Sequence, residues 1–135
     1  MDITNLRRQH SEIMSMAKYI LDNIEKRTIH QNIQEIVKTM NVMAGKLKVH
    51  LMNEDEYLYP QLLNHSDAAL QAFGRKYAEE MKEVTGAYAD YKSRYNTTTK
   101  IENNIDGFNQ ETKQVFKVLA NRIDREEKEL YPLLG

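Results

Sequence analysis

The sequence predicts an all-α fold, an antiparallel up-down four-helix bundle, and three observations carry this prediction. Four long segments have apolar residues at steps of three and four, which is the spacing of one face of a helix. With 5 Gly and 2 Pro in 135 residues, few residues would break long helices. An acidic segment ending in Tyr59-Pro60 returns 72 residues later, ending in Tyr131-Pro132. Two similar helical hairpins within residues 1–135 would pack as a single bundle domain.

The first helix is expected from about Asn5 to about Lys26, with Thr4 as its N-cap. Its apolar stripe consists of Leu6, His10, Ile13, Met14, Ala17, Ile20, Leu21 and Ile24. His10 lies inside this stripe. A single histidine in such a position is more often a hydrogen-bonded core residue than a ligand, so His10 alone does not identify a site.

The second helix is expected from about Gln31 to Tyr59, and Pro60 should end or kink it because proline cannot continue the hydrogen-bond ladder. Its stripe consists of Ile33, Ile36, Met40, Met43, Leu47, His50, Glu54 and either Tyr57 or Leu58. His50 and Glu54 are four residues apart and therefore share a helix face. Ionisable groups on an apolar face are costly unless they are paired or bind a metal.

The third helix should start after Ser66 or Asp67 and reach about Arg94. Its stripe consists of Leu70, Phe73, Tyr77, Met81, Val84, Tyr88, Tyr91 and Tyr95. A tyrosine stripe at helical spacing is usually part of a core, so we interpret it as packing and not as a redox chain.

The fourth helix should begin near Gly107, capped by Asp106, and reach about Glu129. Its stripe consists of Phe108, Thr112, Val115, Leu119, Arg122, Glu126 and Leu130. Arg122 and Glu126 therefore face the core of this helix as His50 and Glu54 do in the second helix.

Composition excludes several classes of function. With 19 Lys+Arg and 20 Asp+Glu, the net charge of -1 offers no electrostatic reason to bind nucleic acid or an anionic membrane. The absence of cysteine excludes disulfides and thiolate metal sites. No apolar run is long enough to span a membrane, and no apolar stretch resembling a secretory signal follows Arg7-Arg8, so a cytoplasmic location is expected. Phosphate-binding loops and hydrolase triads are missing as well.

Four antiparallel helices would bring six polar or soft side chains to a comparable depth: His10, His50, Glu54, Met81, Arg122 and Glu126. On these residues and on two acidic helix ends that close in Leu-Tyr-Pro, the chain from about Leu6 to Leu134 resembles the hemerythrin-like HHE cation-binding domains. Members of that family typically hold two iron ions with at least one histidine per helix and two bridging carboxylates.

The resemblance implies a site for the first metal and not for the second. His10, His50, Glu54 and Glu126 match the ligand pattern of the family. The histidines expected in the third and fourth helices fall at Met81 and Arg122. A thioether is a weak ligand for iron in an oxygen-rich site, and a guanidinium has no lone pair to donate.

We therefore expect the guanidinium of Arg122 to stand where the second metal would be and to neutralise Glu126, with Glu54 as a further partner. Two states are compatible with these charges. One iron, manganese or zinc ion binds the four ligands, or the site is metal-free and a proton on a histidine or a glutamate supplies the missing charge. An intact two-metal site is a third alternative.

Three hypotheses of function follow from these residues. The first is a metal-binding protein that uses one non-haem iron for storage, sensing or binding of a small ligand such as O2 or NO. The second is a redox enzyme acting on peroxide, O2 or NO, and the third is a metal-free interaction or structural bundle. Hemerythrin-type dioxygen binding needs both irons, so the residues at Met81 and Arg122 argue against it. A protein partner or a homodimer remains open in all three.

Overall fold

The computed structural model describes residues 3–133, and every regular element in that range is helical. The four long helices are α1 Thr4–Glu25, α2 Ile33–Asn53, α4 Ala68–Tyr95 and α6 Ile105–Arg125. Two short helices, α3 Tyr59–Leu63 and α5 Thr98–Glu102, lie between them. The all-α prediction is confirmed. Leu134, where the family resemblance in the sequence ends, lies outside the described residues.

Each long helix packs against two others. Helix α1 contacts α2 and α6, and α4 contacts the same two helices from its own side. The apolar stripes of the sequence face inward, because burial of apolar surface drives the packing. None of the helices within residues 3–133 is long and apolar enough to cross a membrane.

The apolar core consists of two clusters with a polar layer between them. On α1, Leu6 belongs to the smaller cluster and Ile13 to the larger, and His10 lies between the two. On α6 and its continuation, Ile123 and Leu130 flank Glu126 in the same way. The predicted functional residues therefore interrupt the core at a single level of the fold.

Helices α2 and α6 each run on into a π-helical turn, Glu54–Leu58 and Glu126–Leu130. In these turns the backbone N–H of Tyr59 donates to the carbonyl of Glu54, five residues back, and Tyr131 donates to Glu126. A proline follows each turn and lacks an N–H to donate. The helical path does not end at Pro60 as one alternative of the prediction required, because a widened turn accommodates the proline and α3 continues to Leu63.

Two predicted caps are wrong. Helix α1 includes Thr4, and its N-cap position is Ile3, which makes no side-chain cap bond. Helix α6 starts at Ile105, two residues before the predicted start at Gly107, because the side chain of Asn104 accepts a hydrogen bond from the Gly107 N–H at 3.0 Å. Asp106 therefore lies in the first turn and not at the cap.

Candidate metal centre

The four residues predicted to bind metal are brought together by three segments of chain. His10 comes from α1 and His50 from the end of α2, and Glu54 and Glu126 are the first residues of the two π turns. All four residues are buried, with 2% or less of each residue exposed. One ligand atom from each lies within 4.8 Å of the others. That these four residues bind an ion stays a prediction.

The π turns determine how the two carboxylates are held. In an ordinary α-helix, residues five apart point in different directions, whereas a π turn brings them onto one side. The Tyr59 hydroxyl donates to Glu54 Oε2 at 2.7 Å, and the Tyr131 hydroxyl donates to Glu126 Oε2 at 3.0 Å. The repeated Glu-x4-Tyr-Pro motif thus ties one oxygen of each carboxylate to a tyrosine of its own segment.

Neighbouring acceptors orient the two imidazoles. The Nδ1 of His50 lies 2.7 Å from the amide oxygen of Gln9, and the Nδ1 of His10 lies 3.2 Å from Glu127 Oε1. Because these oxygens accept, the Nδ1 of each ring donates, and the neutral ring of His50 keeps a lone pair on Nε2. Metal-binding histidines are commonly oriented in this way by a partner at the other ring nitrogen.

The free lone pair of His50 points into the cluster. His50 Nε2 and Glu54 Oε1 are in contact, and both are buried without a hydrogen-bond donor from another side chain. His10 Nε2 lies 3.5 Å from Glu126 Oε2 and 3.3 Å from the Tyr131 hydroxyl. Buried acceptors without donors are unfavourable, and a cation would satisfy them. Two imidazole nitrogens and two carboxylates form a donor set that suits iron, manganese or zinc.

Burial and charge separate the protonation states of these groups. Burial, followed by the nearby His10, lowers the pKa of His50 to about 4, so its ring is neutral at pH 7. Burial and the neighbouring Glu126 raise the pKa of Glu54 well above its usual value. Burial acts against ionisation of Glu126 as well, but hydrogen bonds with His10 and Glu54 and the charge of Arg122 still lower its pKa. Without a metal ion, these pKa shifts favour a neutral Glu54 beside an ionised Glu126.

The predicted contact between Arg122 and Glu126 is present, with 3.2 Å between Nε and Oε1. Arg122 is 3% exposed, and its Nε also lies 3.0 Å from the sulfur of Met81. Its Nη2 donates to the Tyr59 hydroxyl at 3.3 Å and to the carbonyl of Tyr77. Arg122 thus reaches Glu54 only through Tyr59, which itself donates to that carboxylate.

Glu80 is an important partner of Arg122 that the sequence analysis missed. It accepts hydrogen bonds from Nη1 of Arg122 and, at 2.9 Å, from Nη1 of Arg125. The Arg122 guanidinium also lies 4.0 Å from the centre of the Tyr77 ring, within cation–π distance. Glu80 precedes Met81 and lies outside the apolar stripe, so periodicity gave no signal for it. Its position beside the expected third-helix ligand was the only available clue.

A model of the family described as the hemerythrin HHE cation binding domain matches residues 1–134, nearly the whole chain. Searches of curated proteins and of solved structures find no match.

Proposed function

Because the chain belongs to the family of hemerythrin HHE cation-binding domains, we propose that it binds one divalent metal ion through His10, His50, Glu54 and Glu126. Iron is the expected ion, and manganese or zinc would fit the same donors. We further propose that the four long helices form the antiparallel up-down bundle that the sequence predicts. The fold then presents all four ligands at one level of its core.

The observation that carries this proposal is the contact between His50 Nε2 and Glu54 Oε1 without a hydrogen bond. Hydrogen bonds from Tyr59 and to Gln9 occupy the other polar atoms of these two side chains. Their two remaining lone pairs face each other, so either a proton on Glu54 or a bound cation must lie between them. A metal ion would take the place of that proton and bind both atoms.

The charge balance supports one ion and not two. Arg122 offsets one carboxylate, and a proton on Glu54 offsets the other in the metal-free state. A divalent ion can displace that proton and leave the cluster with a single net positive charge. A second divalent ion would lie beside a buried guanidinium, where like charges repel strongly.

Arg122 also occupies the space and the partners that a second ion would need. Its guanidinium contacts Glu126, Met81, Tyr59 and Glu80, and stacks on Tyr77. Every nitrogen of the guanidinium has at least one of these partners. The fourth-helix position therefore supplies a fixed charge in place of a ligand.

When bound, iron would supply a redox-active Lewis acid with coordination positions left for a small ligand such as O2 or NO. The chain's own contribution is to orient the imidazoles through Gln9 and Glu127 and to keep the cluster buried. Neither residue is part of the ligand set. The proposed role is storage, sensing or small-ligand binding at a mononuclear centre.

The test is the metal content of protein purified without chelators or metal-binding tags and loaded anaerobically with Fe²⁺. We expect roughly one ion per chain after desalting, with the ligand set above. His50→Gln should lower the affinity by more than about tenfold. His30→Gln is the matched control, since the His30 side chain is 79% exposed and pairs with Glu102, which is not part of the cluster. Two tightly bound ions per chain, or equal binding by both variants, would contradict the proposal.

A second candidate function is a metal-free interaction or structural bundle. The specific observation in its favour is that Arg122 and a proton on Glu54 can neutralise the cluster without an ion. This reading predicts that the wild-type chain takes up no Fe²⁺, Mn²⁺ or Zn²⁺ under the loading conditions above. The same experiment therefore separates the two functions.

A further inference from the structure

An apolar groove of about 650 Å³ opens between α2 and α4. Its apolar lining includes Leu47, Leu51, Met81, Val84 and Tyr88. Cavities of a few hundred cubic ångströms with apolar walls are typical of small-molecule sites. The groove shares only Met81 with the contacts described for Arg122.

The groove is open because small residues line its walls. Ala44 on α2 and Ala78 and Ala89 on α4 add little volume, and Gly86 adds none. A Cβ placed on Gly86 would meet no atom within 4 Å. Larger side chains at these positions would fill the groove, so its volume follows directly from the sequence.

Three lysines line the groove together with a single acid. Lys48 is on α2, Lys82 and Lys92 are on α4, and Asp55 is the acid. Within residues 3–133, none of these three ammonium groups forms an ion pair. The nearby Lys46, which lies outside this groove, is paired with Glu12 at 2.8 Å. The groove thus combines an apolar floor with an excess of unpaired positive charge.

We infer that this groove binds a small anionic amphiphile, a free carboxylate with an unbranched apolar body of the fatty-acid type. The apolar body would lie on Leu47, Leu51 and Val84, and the carboxylate would pair with Lys48 and Lys82 on opposite walls. This inference does not rest on the proposed metal function, because none of the four proposed ligands lines the groove.

The dimensions support a medium-length chain. The wall formed by α2 and the π turn after it runs from Ala44 to Asp55, about 16 Å at the helical rise, of which about 10 Å lies beyond Lys48. An extended chain of roughly ten carbons with its head at Lys48 therefore has most of its length within the groove, and the groove is within the size range of ligand sites. A polyanion is disfavoured, since the lining offers three cations against one carboxylate.

The first experiment is calorimetric titration of the full chain with sodium decanoate below its micellar concentration. Decan-1-ol and decylammonium are the comparison ligands, with the same apolar body and a neutral or positive head. We expect one decanoate site per chain, weaker binding of the alcohol, and no binding of the ammonium. Equal affinity for all three heads would overturn the role of the lysines.

Two matched pairs of variants test the two parts of the groove. Lys48→Gln with Lys82→Gln should weaken decanoate binding about fivefold or more and leave decan-1-ol binding unchanged. Lys113→Gln with Lys117→Gln removes the same charge from exposed positions of α6 and should have no effect.

Gly86→Leu should abolish binding of both ligands by filling the groove. Gly45→Leu is its control, because Gly45 is also in a helix with open space around it and does not line the groove. Both substitutions introduce a good helix former in place of glycine, so loss of folding is not expected. Unchanged decanoate binding by Gly86→Leu would place the ligand elsewhere and overturn the inference.

Sedimentation velocity of the same proteins tests whether a second copy of this chain occupies the groove. A dimer that Gly86→Leu disrupts, in a chain that does not bind decanoate, would assign the groove to a second copy and overturn the inference. A monomer that binds decanoate and loses it only in the groove variants is the expected result.

Discussion

Replacing Arg122 by methionine should strongly destabilise the metal-free protein. Methionine keeps much of the length and apolar volume of the arginine stem but removes its charge and donors. Glu126, 1% exposed, then loses the cation 3.2 Å from its Oε1. The partly buried Glu80 loses one of its two arginine partners at the same time.

Removing one partner of a buried ion pair typically costs about 3–5 kcal/mol, because the remaining charge stays buried without compensation. The Arg122→Met change should fall in this range at pH 7, where Glu126 is ionised in the wild type. The lost stacking on Tyr77 adds to the effect and is included in that range. Bound metal should restore part of the stability, because the ion would supply the missing positive charge.

The assay is urea unfolding followed by helical circular dichroism, with a chelator present and then with added Mn²⁺. Arg125→Met is the matched control: this side chain also pairs with Glu80, but it is 37% exposed and its pair should contribute about 1 kcal/mol or less. If the two substitutions cost the same, or if Arg122→Met costs under about 1 kcal/mol, a compensating role for the guanidinium is refuted.

Three further predictions concern stoichiometry, protonation and packing. Met81→His with Arg122→His should raise the bound metal above the wild-type stoichiometry. If metal analysis shows no increase, these two positions are not where the ligands of a second metal are missing. Metal affinity should rise with pH, since the raised pKa of Glu54 keeps it protonated in the metal-free protein and the ion must displace that proton. Calorimetry in two buffers should detect about one proton released per ion. Gly74→Ala should destabilise by about 1–3 kcal/mol, because its Cβ would lie 2.8 Å from a leucine side-chain atom. Gly86→Ala has open space and should stabilise by about 0.5–1 kcal/mol in the same urea assay.

The sequence was sufficient to bring the proposed ligands together. His50 and Glu54 could be placed on one apolar face from their spacing alone, and the family resemblance added His10 and Glu126 across the core. Helical periodicity is a local property, so it survives tertiary packing on long amphipathic segments. The burial of all four side chains follows from the same stripes.

The side chains that hydrogen-bond to the proposed ligands and to Arg122 could not be predicted from helical spacing. Gln9 and Glu80 lie outside the apolar stripes, and their contacts depend on how the helices face one another. Asp55 and Glu127 follow the two glutamates at equivalent positions, yet Glu127 contacts His10, whereas Asp55 is exposed and contacts none of the proposed ligands in the described structure. Spacing predicts which residues share a face, but not which side chains meet across an interface.

The π turns show a second limit of the helical pattern. A regular helix would place Tyr59 away from Glu54, and the sequence predicted only that Pro60 would end or kink the helix. The register change before Pro60 instead turns the tyrosine hydroxyl onto the carboxylate. Recurrence of the motif was visible in the sequence, but its hydrogen bond depends on a backbone state that periodicity of 3.6 residues excludes.

Both halves of the chain place a glutamate at the start of a π turn, but the two glutamates have different electrostatic partners. In each, a side chain four residues before the glutamate faces the cluster: His50 precedes Glu54, and Arg122 precedes Glu126. The neutral imidazole leaves its carboxylate with an uncompensated lone pair, which a proton or a metal ion can occupy. The guanidinium satisfies its carboxylate permanently. Because histidine and arginine differ at equivalent positions, we expect one half of the proposed centre to exchange its proton or ion and the other half to keep a fixed charge.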